Sequence, residues 1–361
     1  MRIVIKVGTN ILTGKNGSLD RALIGRLAAE IAALKITGAQ VVLVSSGAIG
    51  AGMGKMGIAA RPTDLRQKQA LAAIGQPLLM EVYESVFSAV DVTVAQVLLT
   101  RQDFDDRQRY INARNTMLTL LDMGVVPVIN ENDTVAVDEI KIGENDTLSA
   151  LVAAKISADW LFLFTDVDGL YKGDPGKSEL ISVVEKVTPE IEAYASDTSA
   201  SGKGIGGMRT KLVAAKIATA AGVTMVIANG LTAGLVARVV AGQRQGTLFL
   251  PQKAINARSC WIAFGASCRG NIVVDAGAAA ALVKKGTSLL PAGVSGVEGS
   301  FEMGDTVSIH SPTGEEIGRG LVNFSSDDIM KIKGKKTADL KHILPAADYD
   351  EVIHRDNLVI L

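Results

Sequence analysis

Short runs dense in Val, Ile and Leu recur along the first 250 residues, with helix-period segments between them: Arg2–Gly8, Gln40–Ser46, Val92–Thr100, Val125–Asn130, Trp160–Thr165, Thr224–Asn229 and Thr247–Leu250. Two antiparallel strands need only a tight turn between them, whereas parallel neighbours need a crossover of a dozen or more residues, usually a helix. This spacing therefore predicts a largely parallel sheet covered by helices, with strands buried on both faces and so apolar throughout. The helices carry their own stop and start signals. Asp20 is placed to cap Arg21–Lys35 before Gly38, and Met208–Ala221 ends at Gly222. Val135–Ile142 alternates polar and apolar residues, the pattern of a projecting hairpin.

The pattern changes after Pro251. From Asn271 the strands are short and the glycines close together, as in Gly293–Gly299 and Phe301–Ile309, which reads as a small β-rich barrel. Ala278–Ala281 reads as a turn of helix rather than a linker. A chain of 361 residues is long for one domain, and the expected division is a catalytic α/β domain over 1–250, a linker over 251–269 and a β-rich domain over 270–361.

Several function classes are excluded by composition. A net charge of −1 predicts neither general nucleic-acid affinity nor attachment to a membrane surface. No apolar run approaches the ~20 residues that span a bilayer. Cys260 and Cys268 are too few for a disulfide scaffold and lack the spacing of a zinc site, so a reducing cytoplasm is expected. All three histidines, His310, His342 and His354, lie in the C-terminal part. The α/β region thus has no histidine for general-base catalysis, for a Ser-His-Asp or Cys-His nucleophile or for most transition-metal sites. A reaction without a strong base is favoured. Phosphorylation of a carboxylate meets that condition, because the attacking oxygen is already ionised at neutral pH and catalysis reduces to positioning and charge stabilisation.

The residues that fit such chemistry stand at strand ends. Lys6 closes the first strand, and Lys211 closes the glycine-rich stretch Gly202–Lys211. Glycines let backbone N–H groups approach an anion, and each ammonium neutralises phosphate oxygens. Gly176-Lys177-Ser178 has the last letters of a Walker loop, but Tyr171 stands where that loop needs its first glycine, so Lys177 reads as a surface residue. Ser45-Ser-Gly-Ala48 follows the second strand, where open α/β sheets bind ligands. Asn130–Thr134 and Glu144–Thr147 gather acids and amides on the same sheet edge. Asp133 is placed to accept from the ammonium of an amino acid, and Asn145 and the Ser46 hydroxyl to donate to its carboxylate. Thr165-Asp-Val-Asp-Gly-Leu-Tyr171 either contacts nucleotide or forms a common Asp-Gly turn.

Together, Lys6-Val-Gly8, Ser45-Ser-Gly-Ala48, Val128-Ile-Asn-Glu-Asn-Asp133, Asn145-Asp146, Leu148-Ser-Ala150, Thr165-Asp166 and Gly206-Gly-Met-Arg-Thr-Lys211 resemble the amino-acid kinase family, and within it the glutamate 5-kinases, over essentially the whole chain. The resemblance implies a three-layer sandwich with a mainly parallel central sheet, plus a C-terminal PUA pseudo-barrel. It implies ATP- and Mg²⁺-dependent phosphorylation of the side-chain carboxylate of L-glutamate, the first step of proline synthesis. By motif, Lys6 and Lys211 would neutralise the transferring phosphoryl and Asp146 would orient them. Ser46, Asp133 and Asn145 would hold glutamate. Thr165, Asp166 and the segment Ile205, Gly206, Gly207, Met208, Arg209, Thr210, Lys211 would hold ATP, with Lys6 shared and no protein metal ligand assigned. A homo-oligomer inhibited by proline is implied too. Thr9-Asn10 and Glu144 depart from the common pattern without removing a catalytic group. The rival readings are a kinase of acetylglutamate, aspartate or UMP on the same fold, or an RNA-binding PUA protein with a vestigial kinase domain. Between Asn271 and Leu361, 9 Lys and Arg stand against 13 Asp and Glu, with Phe301, Phe324 and Tyr349 the only aromatics. RNA readers show a basic face and stacking rings, so these residues argue against a strong RNA role.

Overall fold

The computed structural model describes residues 1–13, 19–136, 145–175, 177–196, 207–254, 256–345 and 347–361, which fall into two compact units, Met1–Ile255 and Asn256–Leu361. In the first unit the chain runs β1 (Arg2–Val7), α1 (Thr9–Leu12), α2 (Arg21–Ile36), β2 (Gln40–Ser45), α3 (Ala48–Met56), α4 (Leu65–Ser88), β3 (Val94–Leu99), α5 (Gln102–Asp105), α6 (Arg107–Asp122) and β4 (Val126–Glu131). It continues through α7 (Asn145–Lys155), β5 (Trp160–Thr165), β6 (Val183–Val184), α8 (Pro189–Ser196), α9 (Met208–Ala220), β7 (Thr224–Asn229), α10 (Leu235–Val240) and β8 (Thr247–Phe249). The strands form one eight-stranded sheet in the order β3-β4-β2-β1-β5-β7-β8-β6, parallel throughout except where β8 runs against β7. The expected parallel sheet is present. Val135–Ile142, read from sequence as a hairpin, lies mostly outside the described residues.

Alternation along β1 decides which side chain serves which layer. Ile3, Ile5 and Val7 join a core with Leu23, Ile24, Leu27 and Ile31 of α2 and Leu79, Tyr83 and Phe87 of α4. Successive strand residues point to opposite faces. Lys6 therefore leaves the α2–α4 layer and projects on the face covered by α7, where it meets Asp146. Asp20 caps α2 as expected, its carboxylate accepting from the Leu23 amide at 2.9 Å.

The turn after β2 depends on glycine. Gly47 holds φ +106°, a left-handed conformation that side chains resist, and it directs the chain from Ser45-Ser46 into α3. The α3–α4 pair depends on it differently. A Cβ on Gly75 would overlap the Ala48 carbonyl oxygen, and one on Gly52 would overlap that of Leu71. Backbone therefore packs on backbone, and the Ser45–Ala48 turn is clamped by α4.

The second unit has its own five-stranded sheet, ordered β10 (Val294–Gly299), β9 (Gly270–Val274), β11 (Thr306–His310), β12 (Glu316–Leu321) and β13 (Leu358–Ile360). Its core is separate and includes Ile272, Phe301, Val307, Ile329 and Ile353. Ala278–Ala281 lies within a helix, Ala276–Lys285.

Gly75→Ala is expected to destabilise the first unit by at least about 3 kcal/mol, because neither partner of the contact is a side chain that can turn away. Thermal unfolding should show a fall in Tm of roughly 6 °C or more; an unchanged Tm would mean that α3 and α4 separate easily.

Candidate active site

At the carboxyl edge of the sheet, β1 delivers Lys6, α7 opens with Asn145 and Asp146, and the first turn of α9 carries Thr210 and Lys211. The three charged groups converge. Lys6 Nζ lies 2.6 Å from Asp146 Oδ1 and Lys211 Nζ 3.0 Å from Oδ2, while the Thr210 hydroxyl donates to Oδ2 at 3.0 Å. Asp146 is 0% exposed, Lys6 7% and Lys211 6%. Burial alone would raise the Asp146 carboxyl, but the charges of Lys6 and Lys211 outweigh it and hold the group below the usual carboxylate range. One carboxylate between two ammonium groups leaves a buried net charge of about +1. Phosphate oxygens brought against these two ammonium groups meet charge of the opposite sign.

Beside it stands a chain of amides. The Asn145 side-chain amide shares its two N–H groups among the Ser45 carbonyl oxygen at 3.0 Å, the Ser46 hydroxyl at 2.7 Å and Asn130 Oδ1 at 3.0 Å. Asn130 passes its own amide to Gln76 at 2.9 Å, and Gln76 passes its to Gln96 at 3.1 Å. Ser45 holds the neighbouring turn through the Tyr83 hydroxyl at 2.8 Å. A backbone carbonyl can only accept, so the Ser45 contact fixes which end of the Asn145 amide is nitrogen. That leaves Asn145 Oδ1 buried without a partner. The expectation that Asn145 donates to a carboxylate is therefore corrected: its N–H groups are committed to the protein, and it offers an acceptor. Ser46 receives a bond from Asn145 and keeps its own O–H to give.

The structure places the remaining sequence-chosen residues as follows. Asp133 is half-buried in the turn after β4. The Thr165 hydroxyl donates to Asp166 at 3.1 Å, and the Asn10 amide reaches the same carboxylate at 3.2 Å. Gly207, Met208 and Arg209 lead into α9 beside Lys211, whereas Ile205 and Gly206 lie outside the described residues. Asp168 accepts from Asn229 and Tyr171, so this part of the Thr165–Tyr171 segment braces a turn. Lys177 is an exposed partner of Asp174 at 3.4 Å. Sequence reasoning missed Gln76 and the Thr210 link to Asp146; the available signal for Gln76 was a polar residue on the buried stripe of α4, between Gly75 and Pro77.

The amino acid kinase family matches residues 1–229 and the PUA domain residues 270–344. The chain belongs to the amino acid kinase family. It is 53% identical to the glutamate 5-kinase of Caldanaerobacter subterraneus subsp. tengcongensis, covering 100% of this chain and 98% of the relative. It is 50% identical to the glutamate 5-kinase of Moorella thermoacetica, covering 100% and 96%. Among solved structures, a carbamate kinase of Giardia shares the fold with a TM-score of 0.52 at 19% identity, over 70% of this chain and 99% of that one.

Asp146→Asn is expected to cost about 3 kcal/mol or more at pH 7, since two buried ammonium groups lose their counter-charge. The folded carboxyl titrates below its ordinary value of 3.8. Its stabilisation is thus present above that pH and is lost as pH falls through the folded value. Urea unfolding of the two proteins should show a gap that is wide at pH 7 and narrows below about pH 4; a gap independent of pH would contradict the ionic role.

Proposed function

We propose that this chain transfers the γ-phosphoryl group of ATP to the side-chain carboxylate of L-glutamate, giving L-glutamyl 5-phosphate, the first step of proline synthesis. The observation that carries the reading is the buried Lys6–Asp146–Lys211 cluster with its excess positive charge, set beside an unpartnered amide acceptor. Its family membership and the glutamate 5-kinase relatives along its full length support the same reading.

The chemistry needs little beyond charge and position. The glutamate carboxylate is ionised at neutral pH and attacks without a base, which suits a domain lacking histidine. Lys6 and Lys211 neutralise the phosphoryl oxygens as charge spreads over them, and Asp146 holds both ammonium groups in place before the reaction starts. Asn145 Oδ1 and the Asp133 carboxylate accept from the substrate ammonium, and the Ser46 hydroxyl donates to a carboxylate. Thr165, Asp166 and the residues leading to Lys211, Ile205 and Gly206 among them, hold ATP. Both Asp146 oxygens are taken by cations, and no group of three ligating side chains occurs among the described residues. Mg²⁺ fits as a partner of the ATP phosphates, whose charge it offsets. The division into a catalytic part over 1–250, a linker over 251–269 and a PUA part over 270–361 belongs to the same proposal. So do a cytoplasmic location, a homo-oligomer and inhibition by proline. No described helix is long and apolar enough to cross a membrane.

ATP consumption should depend on glutamate and not on acetylglutamate, aspartate or UMP; equal turnover with another of these acceptors overturns the assignment. Lys6→Ala and Lys211→Ala should each lower kcat by at least about 10²-fold, as removal of a preorganised charge does. Asp133→Asn should raise the KM for glutamate far more than that for ATP, and steady-state kinetics with each substrate varied will show whether it does.

A further inference from the structure

Lys155, the last residue of α7, is 0% exposed, yet its ammonium rests against rings rather than a carboxylate. Nζ lies 4.1 Å from the ring centroid of Phe104 and 4.1 Å from that of Tyr110, and it donates to the Asp103 carbonyl oxygen at 3.3 Å. One carbonyl and two ring faces serve its three N–H bonds. The main chain is tied at the same point, with Arg114 Nε donating to the Lys155 carbonyl at 3.0 Å and the Arg2 guanidinium donating to Ile156. Tyr110 and Arg114 are one helical turn apart on α6 and so share a face.

This lysine joins the two halves of the acceptor region from behind. Asp103 folds the turn after β3 by accepting from the Thr100 amide at 2.6 Å, the Thr100 hydroxyl at 2.8 Å and Arg109 at 2.7 Å. That turn adjoins the strand end carrying Asn130 and Asp133, because the Asn132 amide donates to Leu99 at 2.8 Å. The other end of α7 carries Asn145. We propose that Lys155 is a positioning residue, and that its protonation state sets how firmly the Thr100–Asp106 turn and α7 grip the acceptor half of the site. The proposal rests on the glutamate kinase reading for its kinetic consequence alone.

The sign follows from where the proton is preferred. Burial pushes Lys155 down to about 7, with Asp103 acting in the opposite direction. An opened arrangement in which the amine reaches water binds its proton as an ordinary lysine does, near ~10.4. Between these values the closed arrangement holds fewer protons, so lowering the pH favours opening and raising it favours the closed grip. Among the described residues, the charged and titratable groups carried by the segments that meet this end of α7 are Arg101, Asp103 and Asp105 at the α5 turn, Arg109, Tyr110 and Arg114 on α6, Arg2 on β1 and Asp159 after α7; of these, Tyr110 and Asp103 bear on the amine itself. At the far end of the helix, α9 presents Lys211 to Asp146, and its Lys216 pairs with Glu192. Burial would raise the Asp103 carboxyl, but the Thr100 amide and hydroxyl and Arg109 outweigh it, so Asp103 stays ionised across this window.

The test compares the full chain with Lys155→Met, which keeps the apolar stem and removes the titration. The ratio of wild-type to variant kcat/KM for glutamate should rise by about 3-fold or more between pH 7 and pH 9.5, an order set by the few-unit displacement of the titration, while KM for ATP changes in parallel in both. A ratio that does not vary with pH overturns the proposal. Hydrogen exchange on the unliganded proteins supplies a measurement independent of turnover. Protection of amides 100–106 should fall toward pH 7 in the wild type relative to Lys155→Met, and identical pH dependence in the two overturns the proposal even if another acceptor proves to be the substrate. Should Lys155→Met fail to fold, Tyr110→Leu replaces it: losing one ring face moves the wild-type transition to lower pH, and an unmoved transition counts against Lys155.

Discussion

A carboxylate held out of water between two ammonium groups is the interaction on which the catalytic unit is organised. Each of these charges would be costly to bury alone; the carboxylate lies within 3.0 Å of both ammonium groups, and that opposite charge makes the burial of each tolerable. The arrangement also requires its scaffold. Lys6 needs the strand parity of β1, Asp146 needs the first turn of α7, and Lys211 needs the first turn of α9, so three elements must dock before the cluster exists. Two ammonium groups held at one carboxylate also put fixed positive charge at the carboxyl edge of the sheet, where an anionic substrate meets it.

The amide chain from Asn145 through Asn130 and Gln76 to Gln96 plays a complementary part. Each link passes an amide donor to the next residue, and among the described residues the buried amide oxygen left without a partner is Asn145 Oδ1. Amides alone could rotate to satisfy themselves. Here the Ser45 carbonyl prevents it, and Gly52 and Gly75 keep α3 and α4 too close for the Ser45–Ala48 turn to drift. Preorganised polarity of this kind avoids reorganisation when substrate arrives.

Much of this was legible in the sequence. Strands buried on both faces announce themselves as apolar runs, and β5 and β7 fall where those runs stand, at Trp160–Thr165 and Thr224–Asn229. Lys6 and Lys211 were readable because glycine-rich turns beside lysines have few structural uses. What escaped depends on long-range partners. The orientation of Asn145 is set by residues 15 and about 100 positions away, which no local pattern records. Gln76 looks like any polar residue in a long helix until Asn130 is seen behind it. A lysine in the last turn of a helix reads as a solvent-facing partner of the helix dipole, and only the packing of Phe104 and Tyr110 shows Lys155 to be enclosed.

The strand order has a consequence for how such a chain assembles. β1 is central, pairing with β2 on one side and with β5 on the other, where Ile3 sits opposite Trp160. At a synthesis rate of roughly 5–20 residues per second, the partner for that second edge follows about 8–30 s later. During that interval a strand with Val or Ile at four of its six positions has one open edge, and Lys6 has no Asp146 to meet. The first strand of the sheet is thus the one that waits longest for its second partner, which makes this stretch a natural point of contact for a chaperone and an origin of misassembly when folding is slowed.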